Sequence, residues 1–307
     1  MINKMNINFN KCFKPVLIGY AVFMVIGIVL TFIFGVQLDI NFSGGTRITY
    51  SYTGDLDYKT TEALIEDTLG KKVDISESSG LADDSKKIVI TLIGNDSLSN
   101  EAQQELAAVL TEKYPDNTFE LYDSNSVNPS VAGAFFAKSI AAVVLTAVLV
   151  IIYVGIRFRK IGGISAGITA FAALLLDVLV AFFTCVIFRL QIDSNFMAVV
   201  LTILGYSLND TIVVYDRIRE NKGIYPNDTT AELVNRSLNT VKIRTIVTTL
   251  TTFLAVAMIV IVAEFFGLSS LRSFAIPMAI GLVSGCLSSL FISAPLWVLW
   301  KEHSNKK

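Results

Sequence analysis

The run VLIGYAVFMVIGIVLTFIFGV, residues 16–36, carries no charge over 21 positions. At 1.5 Å of rise per helical residue it is long enough to cross the hydrocarbon core of a bilayer. Lys4, Lys11 and Lys14 precede it, as in a secretory leader. It is too long for a leader, and no small-residue cleavage pattern follows, so it reads as an uncleaved anchor. Five further apolar runs come after a long gap, at roughly 131–156, 162–188, 196–215, 246–266 and 274–300. The whole chain of 307 residues is 53% hydrophobic and only 17% charged, and its mean hydropathy is +0.59. Those values exclude an ordinary soluble domain and imply a polytopic membrane protein with six spans.

The net charge of −1 hides an uneven distribution. Alternate short connections and the two tails hold most of the Lys and Arg, including Arg157, Arg159, Lys160, Arg217, Arg219, Lys222 and Lys301. The opposite connections hold Arg189 and Arg272. By the positive-inside rule both termini are cytoplasmic and residues 37–130 lie outside the cytoplasm. Trp297 and Trp300 read as interface anchors of the last span. The expected division is residues 1–36, an outer domain at 37–130, spans two to six at 131–300, and a tail at 301–307. The three cysteines lack metal-ligand spacing and read as free thiols. The only histidine, His303, lies in the tail, so histidine carries no proton through the spans.

Within the outer stretch, RITYSY at 47–52 alternates as a strand, and DYKTTEALIEDTLG at 57–70 has an Asp57 or Thr60 cap and a terminal glycine. KVDISES at 72–78 and KIVITLI at 87–93 read as strands joined by a turn at 78–87. SNEAQQELAAVLTEKY at 99–114 is an amphipathic helix with Leu106, Val109 and Leu110 on one face, and TFELYD at 118–123 closes the series as a strand. The order β-α-β-β-α-β is that of a ferredoxin-like split βαβ domain. The chain has no phosphate loop, zinc motif or nucleophile elbow, and Gly44-Gly45 lacks the spacing of a dinucleotide fingerprint.

Charges inside the spans are the candidates for chemistry. Asp210, in GYSLNDTIVVYDRIREN at 205–221, costs about 2.5–3.5 kcal/mol to insert at a helix centre, so it is expected to face the bundle. Thr202, Tyr206, Asn209 and Asp210 fall on one helical face, and Gly205 beside them admits a close neighbour. Arg244 stands at the entrance of the fifth span, ahead of Thr245, Thr248, Thr249, Thr251 and Thr252, and can pair with Asp210. Burial favours the neutral acid and a guanidinium favours the charged one, so an Arg that moves relative to Asp210 would make a relay. Each has a plainer alternative: a polar cluster that glues helices for Asp210, and a snorkelling side chain for Arg244. Asp177, amid AALLLDVLVAFF at 172–183, divides evenly between helix–helix glue and relay member. Asp216 and Arg217 read as a charged helix end.

GYSLNDTIVVYDRIREN, SLNTVKIRTIVTTLTT at 237–252, NFSGGTRI at 41–48 and SVNPSVAG at 126–133 together resemble the SecF family of the Sec protein-export machinery. The resemblance covers essentially the whole chain. It implies half of a resistance-nodulation-division (RND) type transporter, with six helices and a soluble domain after the first. It further implies an ion-relay acid at Asp210, with Asn209 before it, and the family's fifth-span arginine at Arg244. The implied partners are SecD, the SecYEG channel and an unfolded protein in transit, with SecA and YajC as further candidates. No cofactor, metal or nucleic acid is implied. The implied work is non-enzymatic: proton or sodium motive force promoting late steps of export across a bacterial plasma membrane. Departures from the family pattern are Leu176 where many members have His before Asp177, Asn41 before Phe42, and Asn128 before Pro129. Rival readings are a small-molecule exporter half, disfavoured by the small outer domain, and a non-conducting scaffold.

Overall fold

A computed structural model describes residues 6–79, 86–93, 98, 100–115, 117–266 and 268–304. Most of the expected turn at 78–87 lies outside that set. Six helical stretches are long and apolar enough to cross a membrane. They are α1 (Phe9–Phe34), α5 (Pro129–Arg157), α6 (Gly163–Ile187), α7 (Ser194–Ile224), α8 (Thr230–Phe265), and a composite last stretch. That last stretch is α9 (Ser269–Ser288), a π-helical segment Ser289–Ser293, and α10 (Ala294–Ser304). The sequence pattern implied a single helix there. The π segment was invisible to hydropathy because it changes the hydrogen-bond register and not the composition.

Helices α7 and α8 also run well beyond their expected ends. Apolar windows see only the lipid-facing part, whereas Thr229 and Glu232 form a reciprocal capping box that starts α8 in polar sequence. Arg244, expected at the entrance of the fifth span, stands about four turns inside α8.

Between α1 and α5 lie a short helix α2 (Ile40–Ser43), β1 (Gly45–Tyr52), α3 (Tyr58–Leu69), β2 (Val73–Ser79), β3 (Lys86–Ile93), α4 (Asn100–Lys113) and β4 (Phe119–Val127). The strands form one antiparallel sheet in the order β2-β3-β1-β4. Asp57 caps α3 as expected, and Gly70 ends it in the left-handed conformation. Ile48 and Tyr50 of β1 and Ile88 and Ile90 of β3 meet Ile65 of α3 and Leu106 and Leu110 of α4 in a fully buried core. Val109, expected on the same face, is only half-buried. This is the ferredoxin-like arrangement the element order implied.

The outer domain is clasped to the bundle at its root. The α6–α7 connection bridges to the segment after α1 through Leu38 and Ile192, with Asp39 N–H donating to Ile192 O at 3.1 Å and Ile192 N–H to Gln37 O at 2.8 Å. Asp39 caps α2 through Asn41 N–H and also pairs with Arg47 of β1. Burial lowers the Arg47 guanidinium below its usual pKa, opposed by Asp193 and Asp123. Gly44 takes φ of +77° and sits so close to Pro129 that a Cβ there would lie 2.7 Å from the proline. The two flanking motifs of the outer domain, around 44 and 129, thus touch.

At the other end of the bundle, Asn239 reads the backbone of the N-terminal segment from both sides. Ile7 N–H donates to its Oδ1 at 3.0 Å, and its Nδ2 donates to Ile7 O at 2.8 Å. Phe9 N–H donates to Asn235 Oδ1 at 2.9 Å. Arg157 and Arg219 both pair with Asp216, and Arg217 pairs with Glu220, so this cluster braces the end of α7. Of the two tryptophans, Trp297 is 3% exposed and packs inward, while Trp300 is 46% exposed and alone fits the anchor role expected of both.

Two expected outcomes follow from this packing. Arg47→Gln strands the buried Asp39 carboxylate and lowers thermal stability by about 2–3 kcal/mol, the low end for a buried pair because Arg47 is partly in solvent; limited proteolysis at residues 37–44 would report the loosened root. A Cβ at Gly163 would lie 1.9 Å from Gly155 O, whereas one at Gly155 meets nothing within 4 Å. Gly163→Ala is expected to cost about 1–3 kcal/mol of overpacking, and Gly155→Ala none, in paired detergent melts.

Candidate functional site

The most enclosed acid is Asp177, at the centre of α6 and fully buried. Its carboxylate accepts three hydroxyl donors: Ser207 of α7 at 2.7 Å, Ser284 of α9 at 2.6 Å and Ser288 of α9 at 2.7 Å. Tyr20 of α1 reaches Ser284 through both its carbonyl (2.9 Å) and its hydroxyl (3.0 Å). With the Ser284 proton spent on Asp177, the single Tyr20 O–H proton is shared between the Ser284 carbonyl and hydroxyl oxygens. Four helices therefore converge on one carboxyl group. Close approach makes this possible: a Cβ on Gly285 would stand 3.1 Å from Ser207.

Hydroxyl pairs continue from Asp177 along the bundle. Thr211 and Ser289 are 3.0 Å apart, and Ser289 Oγ also donates to Ser207 O at 3.3 Å. Tyr215 OH meets Thr169 Oγ1 at 2.8 Å and Ser293 Oγ at 3.2 Å. Trp297 Nε1 donates to Ser165 Oγ at 3.1 Å. The donors on α7 recur every fourth residue, as do Ser284 and Ser288 on α9. Ser288 follows Ser284 by one turn and so faces Asp177 too, while Ser289 follows Gly285, which packs on Ser207, and so faces Thr211; the π segment begins at Ser289. None of these serines was singled out from the sequence. The available signal was the run of serines at 284, 288, 289 and 293 inside an apolar span, which hydropathy averages away.

Asp210 is buried as expected, and its Oδ2 has no hydrogen-bond partner among the described residues. Thr245 Oγ1 of α8 is likewise buried and unpartnered, and the Cys286 thiol sits against Thr249 and near Asp210. The expected stripe of Thr202, Tyr206, Asn209 and Asp210 is split. Asp210 turns inward with Ser207 and Thr211, Tyr206 is half-buried, and Thr202 and Asn209 are exposed. The physical reason is that Asp210 lies at the rim of the buried arc of α7, so its neighbour one residue back falls outside it. Gly205, expected to receive a neighbouring helix, faces open space within this chain.

Arg244 is exposed and forms no ion pair with Asp210 among the described residues, although its positive charge bears on that acid. On α8, Thr245 and Thr249 point into the bundle, whereas Thr248 and Thr251 are exposed and bond back to their own helix. Exposed polar residues therefore stand on both helices, Thr202 and Asn209 on α7 and Arg244, Thr248 and Thr251 on α8, among exposed apolar ones such as Leu201, Val247 and Leu250. No cluster of metal-ligating residues occurs among those described. The free cysteines are Cys12, Cys185 and Cys286.

Comparison with known proteins matches residues 106–303 to the family described as protein export membrane protein SecD/SecF, C-terminal. The protein translocase subunit SecF of Alicyclobacillus acidocaldarius is 33% identical over 287 residues, covering 92% of this chain and 89% of that protein. The protein translocase subunit SecDF of Bacillus subtilis is 33% identical over 288 residues, covering 92% of this chain but 36% of its own. Among solved structures, SecDF of Thermus thermophilus, described as a translocon-associated membrane protein, aligns over 98% of this chain with a TM-score of 0.82 and 28% identity. The chain spans 40% of that structure's length. Six spans, a ferredoxin-like domain inserted after the first, and a match over most of the length lead to one assignment: this chain belongs to the SecD/SecF family of protein export membrane proteins.

Proposed function

We propose that the chain is the SecF half of a protein translocase. In this reading it works with a SecD half to drive late steps of export with a proton or sodium gradient, and Asp210 is the acid that takes up and releases the ion. The observation that carries the reading is the buried, unpartnered Asp210 Oδ2, with the exposed Arg244 as the charge that bears on it. An ionised carboxylate oxygen without a donor is costly to keep inside a bilayer, by several kcal/mol. A proton, a sodium ion or the Arg244 guanidinium relieves that cost. A small change in the position of α8 relative to α7 would exchange one for another. Moving one charge through 100 mV supplies about 2.3 kcal/mol, enough to bias the clasped outer domain between two positions.

The SecD half covers the exposed polar residues Thr202, Asn209, Arg244, Thr248 and Thr251. Polar groups exposed at membrane depth call for a protein neighbour; Gly205 leaves room for one, and the Bacillus subtilis relative carries both halves in one chain. Asp177 serves as a positioning residue: it fixes α6, α7 and α9 so that Asp210 is presented at a constant depth. The N-terminal segment, the α5–α6 and α7–α8 connections and the C-terminal tail lie on the cytoplasmic side, as their Lys and Arg favour. The outer domain faces the opposite side, where contacts with the SecYEG channel and an emerging unfolded chain take place.

The test is preprotein export in inverted vesicles containing this protein and its partner half, with and without an imposed gradient. Asp210→Asn is expected to assemble normally and to lose all gradient stimulation. If it still responds like wild type, Asp210 is a structural polar group and the scaffold reading stands. Asp177→Asn is expected to behave differently. It replaces one acceptor oxygen with a donor facing serine hydroxyls, so thermal stability falls by about 1–3 kcal/mol, while the molecules that remain folded keep their gradient response.

A further inference from the structure

A second feature lies at the tail end of the bundle, on the outside. Helices α5 and α6 touch backbone to backbone where Gly163 meets Gly155 O. With no side chains at Gly155, Gly162 and Gly163, a groove of about 720 Å³ opens there toward the surrounding membrane, closed on one side by Trp300 of α10. Its walls are Ile152 and Ile156 of α5 and Ile164 of α6, all well exposed. Arg159, in the turn between the two helices, lies at its mouth. Arg157 is held by Asp216, but Arg159 forms no ion pair among the described residues. The ammonium of Lys301 lies beside Gly162 at the same end. No side chain caps α6, whose first residues line the groove.

We propose that this groove binds one anionic phospholipid, with an acyl chain along the glycine floor and the phosphate on Arg159. Charge complementarity selects the occupant. An apolar helix would fill the groove and leave the arginine unmatched. A free phosphate would match the arginine and leave three isoleucines bare. A phospholipid satisfies both, with Lys301 and the uncapped α6 amides adding positive potential at the headgroup level. Trp300 sits where interfacial tryptophans sit. The inference needs only that the six helices span a membrane, and stands apart from ion coupling.

The chain has two tryptophans, and only Trp300 lines the groove. The difference between wild type and Trp300→Phe therefore isolates its fluorescence, in the chain alone or assembled with its partner half. Vesicles of phosphatidylcholine would be titrated with phosphatidylglycerol brominated on its acyl chains, and in parallel with brominated phosphatidylcholine. Half-quenching of Trp300 is expected at about a fivefold lower fraction of the anionic lipid, the effect of one basic residue at the surface. Arg159→Gln should bring the two curves together. Gly155→Leu, whose side chain enters open space, should abolish the preference by filling the groove. Coincident wild-type curves would overturn the proposal. So would a preference that survives Gly155→Leu, which would mean surface charge alone, or one that vanishes when the partner half is present, which would mean that protein covers the groove. None of these readings uses a gradient or export, so a failure of the relay reading leaves this result interpretable.

Discussion

The carboxylate of Asp177 takes three hydroxyl hydrogen bonds from two other helices, and Tyr20 of a fourth helix closes the ring around it. In water such bonds would each add little. In a bilayer the alternative to a made bond is a polar group in hydrocarbon, so the geometry is enforced. Lipid supplies no hydrophobic force to gather helices, and this bundle is gathered by a buried polar centre together with glycine contacts at 27, 163, 281 and 285. The depth of α7, and with it the depth of Asp210, follows from that centre.

The two intramembrane acids have opposite environments. Asp177 has every oxygen engaged, whereas Asp210, three residues beyond a serine that serves Asp177, has an oxygen with no donor. A fully satisfied polar network rigidifies its surroundings, and an unpaired buried polar group is costly. One helix therefore carries a serine of the satisfied centre and an unsatisfied acid within a single turn. The clasp at Asp39, Ile192 and Arg47 lies at the opening end of that same helix, so α7 joins the Asp177 centre to the root of the domain inserted after α1.

Much of this was legible in sequence. Span existence and the β-α-β-β-α-β order followed from hydropathy and alternation, because both are set by solvent on one side or the other of each residue. The Asp57 cap and Gly70 stop were readable because capping is local. What was not legible depended on partners distant in sequence. The burial of Trp297, the π shift at Ser289 and the serines around Asp177 are decided by which helix stands opposite, and a one-dimensional pattern does not carry that. The exposed Asn209 shows the same limit in reverse: a polar stripe announces that some neighbour is polar, without saying whether that neighbour belongs to this chain.

The ladder formed by Asn235 and Asn239 has a consequence for biosynthesis. Residues 7 and 9 find their hydrogen-bond partners more than 220 positions later in the chain. At about 5–20 residues per second, the first helix waits roughly 10–45 seconds in the membrane before its end can be fastened. During that interval α1, few of whose residues are buried even in the finished bundle, is held mainly by lipid. Assembly is thus timed by translation of α8, and α1 is made long before it is locked.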